Sequence, residues 1–409
     1  MSSMSSADGW ILFRHRPFLF FFTARGLSRF CYNLGAVAIG WQVYTLTNSA
    51  FALGMVGLVQ FAPTLFLIFI AGHAADRFDR RRVTQVAEIV AATTAAVLAW
   101  GSFAGWLTVT EVFVAVALLG ASTAFENPAG AALLPLVTPE GMLQRGTALS
   151  SAMFQFATIA GPALSGLLYA VAPAAPYAVM AVCWLVAAIL NGAIHLERPA
   201  TDAETPAPTS STLFAGVDFV RRNPEIFGTI SLDLFAVLFG GVTALLPIYA
   251  RDILHAGPWA LGVLRGAPAV GALIMATFLA RRPISHRAGM RMFQAVIVFG
   301  AATIVFAFSH WLWLSLLAMV ALGAADMVSV IIRVSLVQMR TPNAMRGRVG
   351  AVNYLFINAS SQLGEFESGI TAALFGAMPA AALGGIGTIA VALVWMKLFP
   401  SLRDLERLE

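Results

Sequence analysis

Apolar residues fall into twelve long runs along the chain, at 17–46, 51–75, 83–105, 110–137, 147–172, 174–195, 224–250, 259–280, 290–309, 311–339, 349–376 and 380–399. Each reaches the roughly 20 residues that an α-helix needs to cross a bilayer. The runs are continuous, without the period-two alternation of barrel strands. The pattern therefore predicts an all-α membrane protein with twelve transmembrane helices. Polar positions collect between the runs, and residues 196–222 form the long polar stretch at mid-chain. Its first part, with Pro199, Pro206 and Pro208 among Thr, Ser and Ala, reads as flexible linker. Leu213 to Arg222 has the pattern of a short amphipathic helix lying on the membrane face. Three regions follow: a six-helix bundle over 1–195, the linker over 196–222, and a second six-helix bundle over 223–409.

Composition narrows the class. Hydrophobic residues make up 59% of the 409 and charged residues 11%, against about 25% charged in a soluble globular protein. Mean hydropathy is +0.81. A soluble enzyme, a disordered chain and a disulfide scaffold are excluded. Cys31 and Cys183 lie in apolar stretches and are expected to be free thiols.

The pI of 9.7 would suit a nucleic-acid partner, but the basic residues track the loops. Of 25 Lys and Arg, four lie well inside runs (Arg25, Arg29, Arg265, Arg333) and Arg251 alone lies on one side, leaving 20, two of them at run ends, on the other. Under the positive-inside rule both termini, and the linker, are cytoplasmic, and no nucleic acid is expected to bind. The first run is too long for a cleavable signal peptide and is interrupted by Arg25 and Arg29.

The two halves repeat. At a constant offset of 203, Leu119-Gly120-Ala121 matches Leu322-Gly323-Ala324, Thr138-Pro139 matches Thr341-Pro342, Arg145 matches Arg348, and Gly161 matches Gly364. Near the start of each half, Arg14-x-x-Pro17 resembles Arg221-x-x-Pro224, and Phe51-Ala-Leu-Gly54 resembles Trp259-Ala-Leu-Gly262 at slightly larger offsets. Parallel six-helix repeats are an arrangement of rocking transporters, with substrate held near midplane.

Between the second and third runs stands Gly72-His-Ala-Ala-Asp76-Arg77-Phe-Asp79-Arg80-Arg81-Arg82. It resembles the Gly-x-x-x-Asp-Arg-x-Gly-Arg-Arg loop of the major facilitator superfamily, with Asp79 in place of the second Gly. The resemblance implies that Gly72, Asp76, Arg77, Arg80 and Arg81 form a conformational latch. Gly72 is expected to permit close helix packing, Asp76 to accept bonds from a neighbouring helix end or arginine, and the arginines to pair with acidic groups or lipid phosphates. Trp41-Gln42-Val-Tyr44, the Asp-Arg-Phe-Asp-Arg-Arg form of the loop, Phe125-Glu126-Asn127-Pro128 and Gly364-Glu365-Phe-Glu367 are similar to the branch of enterobactin and other siderophore exporters and multidrug-like proteins. Gly161-Pro162-x-x-Ser165-Gly166 in the fifth run is similar to the antiporter motif, with Ser165 replacing a Gly. The fourth run departs from many drug/proton antiporters, because it holds no Lys or Arg.

Ionisable groups at helix centres cost about 2.5 to 3.5 kcal/mol on insertion scales and need a partner or a wet cavity. Arg25 and Arg29 share one face of the first span, so acidic partners or an anionic ligand are implied; Glu126 and Asp233 are the candidate partners by depth. Arg25, Arg29, Trp41, Gln42 and Glu126 are the candidate substrate-cavity residues. Glu126, Asp233, Asp326 and Glu365 are the candidate proton-coupling acids, with no choice among them from sequence. Asp326 and Arg333, about 10 Å apart along the tenth span, are expected to pair with other helices. Arg265 either pairs or snorkels to the interface. The six histidines all sit at span ends or in loops, so neither a histidine relay nor a metal site is expected, and no cofactor.

The sequence thus reads as a monomeric transporter of the bacterial inner membrane, exporting an amphipathic small molecule such as a siderophore or drug-like metabolite in exchange for protons. An uncoupled facilitator or lipid-moving transporter of the same fold is the other reading. An enzyme is disfavoured by the lack of a nucleophile elbow, zinc motif or phosphate loop.

Overall fold

The computed structural model describes residues 12–195, 210–284 and 286–406; the Pro-containing part of the linker lies outside them. The described chain is almost wholly helical: α1 Arg16–Thr47, α2 Ala50–Arg77, α3 Arg80–Ala104, α4 Val109–Val137, α5 Leu143–Val171, α6 Ala175–Gly192, α7 Ser210–Arg222, α8 Pro224–Phe239, α9 Pro258–Arg281, α10 Ala288–Ala307, α11 Leu312–Arg340, α12 Asn343–Phe375 and α13 Ala377–Leu398. Among the described residues, ten segments are long and apolar enough to cross a membrane. The longer α1 and α12, which carry Arg25, Arg29, Glu365 and Glu367, are not among the ten. Large apolar side chains such as Phe66, Phe103, Trp311 and Trp313 are exposed, the surface that a bilayer would cover.

Packing divides the chain into two units, residues 1–42 with 59–207 and residues 43–58 with 208–409. In the first, α3 packs against α4 and α6, and Phe18, Phe21, Leu133, Val137 and Ile194 form a buried cluster. Glycine permits two close crossings. A Cβ on Gly120 of α4 would run into the carbonyl oxygen of Gln60 on α2, and one on Gly161 of α5 would lie 3.1 Å from the carbonyl oxygen of Phe30 on α1. In the second unit, α11 packs against α9 and α10, and Leu232, Phe293, Ile332, Leu336 and Leu402 share a core. Here Gly323 of α11 meets the carbonyl oxygen of Pro268 on α9.

The expected span 224–250 is broken. Helix α8 stops at Phe239 and is followed by a 3₁₀ turn (Val242–Leu245), a helical turn (Leu246–Ile248) and a π turn (Tyr249–Ile253). Gly240 and Gly241 explain the stop, because glycine is a poor helix residue. Gly241 also lies so close to the carbonyl of Gly364 that a Cβ would clash.

The amphipathic segment lies within α7, and the buried side of that helix faces protein. Val220 of α7 is clustered with Ile226, Val337, Val349 and Val352, and a Cβ on Gly216 would come within 2.9 Å of the Arg348 carbonyl oxygen on α12. Apolar positions on a surface helix are satisfied equally by lipid and by a neighbouring helix, so periodicity alone does not separate them.

The loop between α2 and α3 corrects one expectation. Gly72 carries no close packing, since a Cβ there would meet no atom within 4 Å. Asp79, standing where the family motif has Gly, has φ −58° and needs no glycine. Its Oδ1 accepts from the Arg81 backbone N–H at 3.0 Å, capping α3. The Arg81 side chain grips the same carboxylate through Nε at 3.0 and 3.1 Å and holds Asp79 below the usual carboxylate range. Arg81 also donates to the carbonyl of Ile194 at 2.6 Å, just beyond the C-terminus of α6. Buried Arg80 donates to the carbonyl of Ala75 near the end of α2 at 3.2 Å. These arginines satisfy carbonyls at helix ends, where positive charge is favoured. The side chain of Asp76 lies outside those described.

Candidate functional site

The few charges inside the helices form separate constellations within each unit. In the first, Arg25 on α1 reaches Glu126 on α4, its Nη1 lying 3.4 Å from Oε1 and 3.3 Å from the backbone carbonyl. Gly130, one turn further along α4, makes room, since a Cβ there would stand 2.5 Å from the Arg25 Nη1. The other Glu126 oxygen accepts from the Ser28 hydroxyl at 2.8 Å, and Ser28 accepts from the Trp184 indole at 3.0 Å. Arg25 and Glu126 thus pair as their depths suggested, and the Ser28 hydroxyl, itself oriented by Trp184, helps to hold the carboxylate in place.

Arg29 is treated differently. Its guanidinium donates to the Asn127 side-chain oxygen and lies over the Phe154 ring, 5.5 Å from its centroid. Both partners are neutral, and no carboxylate among the described residues pairs with it. Gln42 is 8% exposed, and its side-chain oxygen accepts from the Tyr169 hydroxyl, so its polar end ties α1 to α5. Trp41 is half-buried.

Glu88 on α3 joins the candidate site although the sequence pattern did not single it out. It is 1% exposed and accepts from the Asn191 amide at 2.8 Å on both oxygens, within electrostatic reach of Glu126 and Arg25. A signal exists in the sequence, since Glu88 is an acid inside the apolar run 83–105.

In the second unit, Arg333 on α11 pairs with Asp233 on α8; their side chains are 4% and 9% exposed. Asp233 is therefore not a partner of the α1 arginines. Arg265 on α9 pairs with Glu365 on α12 at 3.5 Å rather than snorkelling, and Thr243 in the broken part of the seventh span donates to the same Glu365 oxygen at 3.4 Å. Glu367, on another face of α12, accepts from Thr371 at 2.8 Å. The Tyr44 hydroxyl donates to Asp252, and Arg251 lies over the Tyr44 ring, 5.4 Å from its centroid; this polar cluster was not foreseen, because Asp252 lies past the end of the apolar run.

The Arg25–Glu126 and Asp233–Arg333 pairs are related by the internal repeat with their charges exchanged. The offset of 208 that aligns Phe51 with Trp259 also aligns Arg25 with Asp233. The offset of 203 places Glu126 at Ser329, one helical turn before Arg333. In each unit, one ion pair ties the first helix of the repeat to the fourth.

In the antiporter-like segment, α5 continues through Pro162. Gly161 makes the close approach to α1, and Gly166 and Ser165 are buried. Among the described residues, no group of three or more His, Cys, Asp or Glu is placed to hold a metal ion.

Comparison with known proteins agrees with this arrangement of long helices. The profile of the family described as "Transmembrane secretion effector" matches residues 7–408. The multidrug efflux pump Tap of Mycobacterium tuberculosis is 28% identical over 392 residues, covering 91% of this chain and 91% of Tap. The enterobactin exporter EntS of Citrobacter koseri is 25% identical over 407 residues, covering 96% of this chain and 94% of that protein. In fold, the crystal structure of the nucleoside transporter NupG matches with a TM-score of 0.71 at 14% identity, over 94% of this chain and 99% of NupG. The chain is a multi-pass membrane protein of the transmembrane secretion effector family, a group of major facilitator transporters that includes drug and siderophore exporters.

Proposed function

We propose that this protein exports an amphipathic small molecule, a siderophore or a drug-like metabolite, across a bacterial inner membrane by alternating access of two six-helix halves, with protons moving the other way. Both termini lie in the cytoplasm in this reading. The observation that carries it is Arg29, a cation inside an apolar helix whose described partners, Asn127 and the Phe154 ring, are both neutral. An anionic group on the substrate supplies the missing counter-charge. Arg25, Trp41 and Glu126 complete the cavity face, with Glu126 held by Arg25 and Ser28. Named relatives that export enterobactin or act as a multidrug pump support the same class of cargo.

Arg29→Ala is expected to weaken binding of an anionic catecholate such as enterobactin by about tenfold, taking about 1.5 kcal/mol for a hydrogen bond to a charged group. Ethidium, a cation, should bind as before. Isothermal titration on the purified protein checks both, and equal enterobactin affinity for variant and wild type removes Arg29 from the site.

The loop of Gly72, Asp76, Arg77, Arg80 and Arg81 serves in this reading as a latch between conformations, not as a binding site. Asp76→Asn should therefore slow substrate uptake by inverted membrane vesicles severalfold while leaving affinity unchanged. A variant that loses affinity and keeps its turnover rate contradicts the latch. Transport of ethidium into proteoliposomes with and without a pH gradient tests the proton exchange itself; accumulation that ignores the gradient favours the uncoupled facilitator.

A further inference from the structure

Six carboxylates, Glu88, Glu126, Asp233, Asp326, Glu365 and Glu367, lie well inside the apolar helices, and five of them are engaged, Glu367 by the Thr371 hydroxyl. Glu88 holds the Asn191 amide, Glu126 holds Arg25 and Ser28, Asp233 holds Arg333, and Glu365 holds Arg265 and Thr243. Asp326 makes no hydrogen bond or ion pair with any described residue. It lies instead on the wall of a small cavity between α8, α10 and α11, together with Asp233 and Ser329. Ser329 is 5% exposed, and its hydroxyl also lacks a partner among the described residues. The rest of the wall is apolar, including Val296 and Phe299.

The charge count of this pocket is unequal. Arg333 neutralises Asp233, so one negative charge, that of Asp326, is left over. The other helices packed against α11 do not balance it: the single charged residue within α10 is Arg291 near its start, and on α9 Arg265 is committed to Glu365 while Arg281 ends the helix. An unmatched carboxylate in an apolar pocket is costly, and a single counter-charge removes the cost. A hard metal cation needs about six oxygen ligands, and the wall supplies two carboxylates, one of them already paired, and one hydroxyl. The cavity of about 10 Å³ is at the lower limit for a single water molecule.

The geometry points to Asp326 as the residue that takes up and releases the coupling proton. One water and the Ser329 hydroxyl pass the proton to its carboxylate, and the Asp233–Arg333 pair fixes the charge on the opposite wall. This assignment rests on the proton-exchange reading above and chooses one acid within it. Glu88 is the contrasting case: it is buried at 1% exposure, but the amide of Asn191 already satisfies both its oxygens.

Infrared difference spectra of the purified full-length protein, recorded between acid and alkaline pH, test the assignment without a substrate. The wild type and Glu88→Gln should both show, beside the bands of the exposed carboxyls, the carbonyl component of a titrating carboxylic acid in an apolar site. Asp326→Asn should lose that component, and Asp326→Glu should restore it at a shifted position. A spectrum of Asp326→Asn that retains every carbonyl component of the wild type overturns the assignment. In inverted vesicles, Asp326→Asn should lose ethidium accumulation driven by a pH gradient while retaining ethidium exchange at equal pH. Gradient-driven accumulation that persists in this variant overturns the assignment and leaves proton exchange standing. If the wild type itself ignores the gradient, the exchange reading falls, and the infrared band alone decides whether Asp326 is the proton site.

Discussion

Arg333→Met is expected to leave little folded protein, whereas the double variant Asp233→Asn/Arg333→Met should recover most of the loss. Both members of the pair are buried. Removing one partner of such a pair costs about 3–5 kcal/mol because it strands a charge, whereas removing both is often close to neutral. With total stabilities typically about 5–15 kcal/mol, the single substitution consumes a large share. The contrast with the exposed Asp218–Arg222 pair on α7, whose side chains are 58% and 77% exposed, makes the comparison specific. Arg222→Met should change stability by less than about 1 kcal/mol. Fluorescence-detected gel filtration after heating in detergent measures all three. A single variant as heat-resistant as the double would mean that the pair is not buried charge against charge.

That pair also shows where sequence reading stops. Depth along a helix can be counted from residue numbers, and it placed Arg25 beside Glu126 correctly. It also offered Asp233 to the same arginines, because depth says nothing about which helices are neighbours. Only the packing of α8 against α11 shows that Asp233 belongs to Arg333. The same lack of azimuth hid the second partner of Glu365, since Thr243 reaches it only because the seventh span breaks at Gly240 and Gly241. Glu88 escapes for a different reason. A lone acid in an apolar run is visible in sequence, but the Asn191 that satisfies it lies 103 residues away. Close packing at Gly72 is an expectation that the structure does not meet, because open space surrounds that position.

What was legible was the repeat, and the structure supplies its physical cause. Gly120 lies against the Gln60 carbonyl, and Gly323 against the Pro268 carbonyl. The offset of 203 relates the two glycines, and the offset of 208 relates the two carbonyl residues. The same holds one helix later in each half. Gly161 approaches the carbonyl of Phe30, and Gly364 approaches that of Leu238 at 2.9 Å for an added Cβ. Phe30 and Leu238 also differ by 208. The glycines that recur are thus positions at which one helix backbone meets another, where any side chain collides with a carbonyl oxygen.

Gly323→Val should accordingly be among the most damaging substitutions in the chain. Overpacking a close core commonly costs about 1–3 kcal/mol when side chains can shift. At this crossing the obstacle is the Pro268 backbone of α9, with Gly271 of α9 itself against the Val320 carbonyl. Neither side can retreat by changing a rotamer, and the helices must separate along a face built on small residues and close backbone contact. Gly120→Val should behave alike in the first unit, because its contact with the Gln60 carbonyl is the counterpart. Gly72→Val serves as the control, since open space surrounds that position, and any effect there should fall on turnover instead of on folding. Yield and thermal midpoint of the three purified variants separate these outcomes. If Gly323→Val melts together with Gly72→Val, the glycines of the repeat are not packing contacts, and backbone crowding is not what kept the two halves alike.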